Sequence, residues 1–265
     1  MRFPLLVAVF VASVQSWLLQ VNEQERLCDE VYTIQRPLKR NHDGYEVYSA
    51  TQMSTGHKVQ VSYGLPMEEV KNNEYVWNIM DTTANVDSSH FLRVHCVTEK
   101  TTTVNDDETR TISVMVQDDC KTLDEHINQA HFSFDSTTVE ALLLPQLKTA
   151  IQEMRKVNLV HGSLNLKSLH WCQVQVTGER YAYAGALRLS SFFHAHMVID
   201  GLVVHDPRHA RGQRMEDTIA PEVRHHGELS WVSDLYSVGI LILEMLQLNE
   251  YYDPTEWKYR MHPAV

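Results

Sequence analysis

The sequence predicts an α+β fold, with a strand-rich first half and a helical second half joined in one two-lobed domain. Apolar residues tend to alternate from Tyr32 to Val116, as in "GYEVYSA", "HKVQVSY" and "TISVMVQ", which is the period of an antiparallel sheet. After Asp118 the spacing becomes helical: Val139, Leu143, Leu147, Ile151 and Met154 fall on one face. No internal repeat or low-complexity tract divides the chain further.

Taken in order, residues 1–16 read as a signal peptide. Arg2 precedes an apolar run from Phe3 to Val14 that is too short to span a bilayer, and Val14-Gln15-Ser16 offers small residues for cleavage after Ser16. Residues 17–265 form the domain, with an N-terminal lobe over about 30–120 and a C-terminal lobe over about 121–265. Within the sheet region, Val70, Trp77 and Met80 with Glu68, Glu69 and Glu74 predict one helix over Met67 to Met80. The polar tract Glu99 to Thr111 predicts a loop inside a hairpin. Thr137 and Glu140 form a capping box for the next helix, which Pro145 kinks or restarts. Leu235 to Leu248 is almost wholly apolar and predicts a helix buried on all sides.

Composition narrows the function. A formal net charge of −11 argues against binding a phosphate backbone, so nucleic acid is not an expected partner. The most apolar later segment, Val238 to Leu248, is short and carries Glu244, so no transmembrane segment is expected. Cys28, Cys96, Cys120 and Cys172 in a secretory protein predict two disulfides in any of three connectivities. No two of them make a C-x-x-C pair, and His194, His196, His205, His209, His225 and His226 surround a polar loop containing Pro207 and Gly212. No metal site is therefore expected. Trp77, Trp171, Trp231 and Trp257 read as core or lobe-interface aromatics.

Four short strings then occur in a telling order: "VHGSLNLKSL", "LRLSSFF" from Leu187 to Phe193, "APE" from Ala220 to Glu222, and "SDLYSVGILILEML". In this order they resemble the catalytic loop, the strand leading into D-F-G, the end of the activation segment and the buried helix of a protein kinase. The resemblance runs from about Tyr32 to Leu248 and implies a bilobal kinase-like fold whose C-lobe reads as truncated after the central helix. It implies structural roles for His161, Ala220, Pro221, Glu222, Asp234 and Gly239: His161 bracing the loop, Asp234 anchoring its backbone. Glu222, without the Arg that later helices supply in kinases, is expected to be exposed or paired with another cation.

The same alignment removes the chemistry. Phosphoryl transfer needs a strand Lys, an Asp base, and Asp and Asn ligands for Mg²⁺. Here Ser62, Ser163, Ser191 and Ser168 stand at those four positions, and Gly162 replaces the Arg that reads activation-loop phosphorylation. The phosphate loop would lie in "QRPLKRNHDGYEV", which holds only Gly44 and includes Pro37. Glu74 is the candidate for the helix Glu, left without its Lys. A hydroxyl is a poor base and a weak metal ligand beside a carboxylate. No catalytic residue and no cofactor are expected, ATP and Mg²⁺ binding should be lost, and no residue is assigned to nucleotide.

"LVHGSLNL" followed by "LRLSSFFHAHMVIDG" most resembles the secreted rhoptry kinase family of apicomplexan parasites. That resemblance implies a secreted pseudokinase working through protein partners as a scaffold or allosteric regulator. It also implies a rhoptry or dense-granule location and delivery to the parasitophorous vacuole or cyst wall. The competing reading is an atypical kinase or nucleotide-binding transferase in which Asp200 and Lys39 or Arg40 stand in for the missing groups.

Overall fold

The computed structural model describes residues 23–40, 45–105, 108–130, 136–173, 185–198, 204–205 and 218–247. The proposed signal peptide, Asp200, His209 and Trp257 lie outside them, and of Lys39, Arg40 and His205 only the backbone is described.

The chain is mixed α and β, and its largest feature is a six-stranded antiparallel sheet. Its strands are β1 (Gln24–Leu27), β2 (Glu30–Arg40), β3 (Glu46–Gln52), β4 (Lys58–Tyr63), β5 (Val94–Asn105) and β6 (Glu108–Asp118), in the spatial order β1-β2-β3-β4-β6-β5. The alternating residues earn their place: Ile34, Val59, Val61, Val114 and Val116 are fully buried and form one core with Tyr32 and Tyr48. Helix α1 (Met67–Thr82) follows β4 and buries Val70, Val76 and Met80. The tract from Glu99 to Thr111 does not loop out. Strands β5 and β6 continue paired through Thr103 and Thr109 to Asn105 and Glu108, because its run of β-branched threonines suits an extended ladder.

Beyond Asp118 come β7 (Lys121–Thr122), α2 (Leu123–Ala130), α3 (Ser136–Thr138) and α4 (Leu144–Lys156). Thr137 lies inside α3 and so cannot be the cap of a capping box. Pro145 acts as expected: it has no N–H to give to Ala141, and the turn before it, Val139–Leu143, widens to π geometry, with Leu144 N–H bonded to Val139 O. Val139, Leu143, Leu147, Ala150 and Met154 bury together with Leu159, Leu164, Leu169 and Leu241 in a second core.

The remaining elements frame a loop. They are β8 (Leu159–Val160), β9 (Leu169–Gln173), β10 (Gly185–Leu189), β11 (His196–Met197), β12 (Val204–His205), α5 (Pro221–His226), β13 (Glu228–Leu229) and α6 (Trp231–Gln247). The order β10-β9-β7 makes a small sheet, β8 pairs with β11, and β12 pairs with β13. Helix α6 is not covered all round: Leu241 and Met245 are buried, whereas Val232, Leu235, Tyr236 and Leu243 are exposed.

Disulfides join Cys28 to Cys96 and Cys120 to Cys172, closing separations of 68 and 52 residues. Loops of that size restrict the unfolded chain by about 4 kcal/mol each in the chain-entropy account. Such pairing belongs to an oxidising compartment. No helix of the described residues is long and apolar enough to cross a membrane.

Candidate functional site

The segment Leu159–Leu169 runs between the short strand β8 and β9, and its start is fixed from α6. Ser230 opens that helix with its hydroxyl facing Ser233 N–H, and Ser233 Oγ in turn accepts Ser230 N–H at 3.0 Å. Asp234 thereby sits in the first turn, aimed at the loop. Its carboxylate accepts the backbone N–H of His161 at 2.7 Å and of Gly162 at 2.9 Å. Burial pushes the Asp234 carboxyl up to about 7, against the pull of those two N–H groups.

His161 is fully buried and its ring is fixed at both nitrogens. Nδ1 accepts Ser163 N–H at 3.3 Å, so the proton is on Nε2, which donates to Ser190 O at 2.8 Å. Burial lowers its pKa to about 4 despite the bond to Ser190. The ring also packs on Phe192, whose own ring lies 6.1 Å from Phe91, linking the loop to the segment after β10 and the strand-rich half. Asn73 in α1 accepts Phe192 N–H at 3.1 Å and Asn72 donates to Phe192 O. Glu74, the candidate for the helix Glu, lies on the exposed side of α1, and the helix meets this segment with two amides.

The serine positions separate on inspection. Ser62 is buried in β4. Ser168 is buried too, and its hydroxyl donates to Asn165 O at 2.9 Å while accepting Asn165 N–H at 3.0 Å. Asn165 is equally engaged: its Oδ1 accepts the N–H groups of Lys167 and Ser168, and its Nδ2 donates to Ser163 O. Ser163 is half-buried, and exposed Ser191 holds a left-handed backbone (φ 59°) beside Ser190. Gly162 also has a positive φ of 76°, and an added Cβ would lie 2.7 Å from His194 O and from a Leu229 methyl. No Arg fits there.

Ala220 is buried at the cap of α5, Pro221 opens the helix exposed, and Glu222 is only half-buried, which relieves the expected cost of an unpaired buried carboxylate. Gly239 lies on the exposed face of α6 with nothing within 4 Å of an added Cβ.

A second constellation has no sequence signature. His57, His95 and Asp118 come together at the edge of the large sheet, one ligand atom from each within 4.8 Å of the others. They are 38 and 23 residues apart in the chain, outside any motif window. What joins them is register: Asp118 pairs with Val59, and a bulge between Val94 and Cys96 makes His95 the extra residue of β5. Burial would raise the Asp118 carboxyl, but hydrogen bonds from His95 and His57 and the charge of Arg188 outweigh it and bring it down to about 2.

No protein-family model matches the chain, and no curated protein matches it.

Proposed function

We propose that the protein is a secreted pseudokinase: a kinase-like domain that does not transfer phosphate and acts through protein contacts as a scaffold or allosteric regulator. The observation that carries this reading is the state of Ser168, the residue at the metal-ligand position of the kinase-like loop. Its hydroxyl is buried and uses both its donor and an acceptor on Asn165, so it has little left to offer a cation. Ser163 and Ser191 bring hydroxyls to the two positions where transfer needs carboxylates. The nearby Asp234 carboxylate is committed to two backbone N–H groups.

Retention of the frame supports the same reading. The Asp234 anchor, the His161 brace and the Phe192 packing have the form that the kinase resemblance assigns to structure rather than to chemistry. The disulfides support secretion.

The test is thermal unfolding of residues 17–265 with and without ATP, in Mg²⁺, Mn²⁺ or EDTA. A ligand that binds the folded state must raise its melting temperature. A cooperative melt that nucleotide leaves in place is the expected result. A nucleotide-dependent rise of several degrees, abolished by Lys39→Ala or Asp200→Asn, would favour the transferase reading instead.

A further inference from the structure

We propose that His57, His95 and Asp118 form a binding site for a divalent transition-metal ion of the Zn²⁺ class, held by His57 Nε2, His95 Nε2 and Asp118 Oδ1 with water completing the shell. The proposal stands apart from the pseudokinase reading, and either can fail alone.

Geometry is its basis. Asp118 Oδ1 lies 2.7 Å from His95 Nε2 and 3.2 Å from His57 Nε2. Metal bonds of 2.0–2.1 Å in a tetrahedron require ligand atoms about 3.3 Å apart. The two Asp118 spacings reach that with shifts of well under an ångström, and the two imidazole nitrogens, which lie within 4.8 Å of each other, close the remainder by rotation of the freer His57 ring. Two imidazoles with one carboxylate select Zn²⁺ and its neighbours over Ca²⁺ or Mg²⁺, which prefer all-oxygen shells. Three protein ligands leave one position open, and the site faces solvent on one side: the His57 side chain is 51% exposed, against 17% for His95 and 12% for Asp118.

The site is also supported from behind. Arg188 Nη1 donates to the other carboxylate oxygen, Oδ2, leaving Oδ1 to ligate as a single oxygen in a fixed direction. Arg188 lies in β10, which pairs with β9, and β9 carries Cys172, bonded to Cys120 two residues beyond Asp118. Asp119 does not compete, because it accepts from Gln60 at 3.0 Å. A bound ion would tie the tip of the β3–β4 hairpin to the ends of β5 and β6, a crosslink of three chain segments that hydrogen bonds to one oxygen hold more weakly.

The experiment uses the full disulfide-bonded chain, stripped with EDTA and dialysed, then titrated with Co²⁺ and with Zn²⁺. One Co²⁺ per chain with the visible absorption of tetrahedral coordination, displaced by Zn²⁺, is expected, and Zn²⁺ should raise the melting temperature by several degrees. His57→Gln and His95→Gln should each weaken binding at least about tenfold, the usual scale for losing one of few ligands or its support. His225→Gln, an exposed histidine elsewhere, should leave it unchanged. If His95→Gln loses its cooperative melt, the half-exposed His57→Gln decides alone. Neither a cobalt spectrum nor zinc heat at tens of micromolar protein, or binding that survives His57→Gln, would overturn the site and leave a hydrogen-bonded cluster only.

Discussion

Asp234 Oδ2 accepts the backbone N–H of His161 at 2.7 Å across 73 residues of sequence, and that one bond fixes where the loop begins relative to α6. The neighbouring oxygen takes Gly162 N–H. In Asp234→Asn, one of these N–H groups faces an amide NH₂, leaving buried donors opposed. At pH 7.5, above the folded pKa of about 7 so that the carboxylate is mostly ionised, the expected loss is about 2–4 kcal/mol, since bonds to a charged acceptor contribute about 1.5–3 kcal/mol and an orphaned donor costs as much again in part. Urea unfolding measures it, and a loss under about 1 kcal/mol would mean that the anchor is dispensable.

The same substitution has a pH signature. The folded Asp234 carboxyl is raised to about 7 from 3.8, so the folded state holds its proton more tightly than the unfolded state. Stability from this group is therefore fully present below 3.8 and is lost as pH rises through 7. The penalty of Asp234→Asn should thus be larger at pH 5 than at pH 7.5, by on the order of 2–3 kcal/mol. Equal penalties at the two values would show a carboxylate ionised throughout.

His161 acts in the opposite sense. Its folded pKa is lowered to about 4 from 6.5, so its contribution is present above 6.5 and is lost as pH falls towards 4. Between those values the two buried groups offset one another, and the pair alone gives the wild type little net slope. Long-range proton–nitrogen NMR should find His161 as the Nε2–H tautomer, neutral at pH 5. A ring that titrates near 6.5 would contradict the buried geometry.

How much of this was legible in the sequence depends on distance along the chain. Strand alternation and the α1 pattern were, because Val59, Val61, Val114 and Val116 report their own burial through a two-residue period. The bond from His161 N–H to Asp234 joins two short strings 73 residues apart, which no local period relates and only their order along the chain brought together. Asn72 and Asn73 were hidden behind Glu74, since a helix pattern does not say which polar neighbour turns inward. The His57, His95 and Asp118 cluster was invisible because a one-residue bulge re-aims His95, and no period encodes a bulge. Helix α6 was read as wholly buried because apolar content gives an average, while exposure depends on what packs against each side.

Gly162 offers a test of close packing with an internal control. An Ala there takes a left-handed backbone and also places its Cβ 2.7 Å from His194 O, a backbone atom that cannot swing away. Gly56 has the same sign of φ, at 72°, with nothing within 4 Å. Gly56→Ala should cost about 1 kcal/mol, the left-handed penalty alone. Gly162→Ala should cost about 2–4 kcal/mol, the excess being the overpacking. Equal losses would mean that the loop yields freely at His194.

Gly239 gives the opposite sign. It lies inside α6, exposed, and an added methyl meets nothing within 4 Å. Glycine in a helix interior is about 1 kcal/mol worse than alanine, because the unfolded chain has more freedom to lose and the backbone is less shielded. Gly239→Ala should therefore stabilise the protein by about 0.5–1 kcal/mol, raising the melting temperature by about 1–4 °C for a chain of this size. Val232, Leu235, Tyr236 and Leu243 share that exposed face, so the substitution also probes whether anything rests on it. A drop in melting temperature would mean that a close neighbour covers Gly239 in solution, since a methyl added to open helix surface has no means of destabilising it.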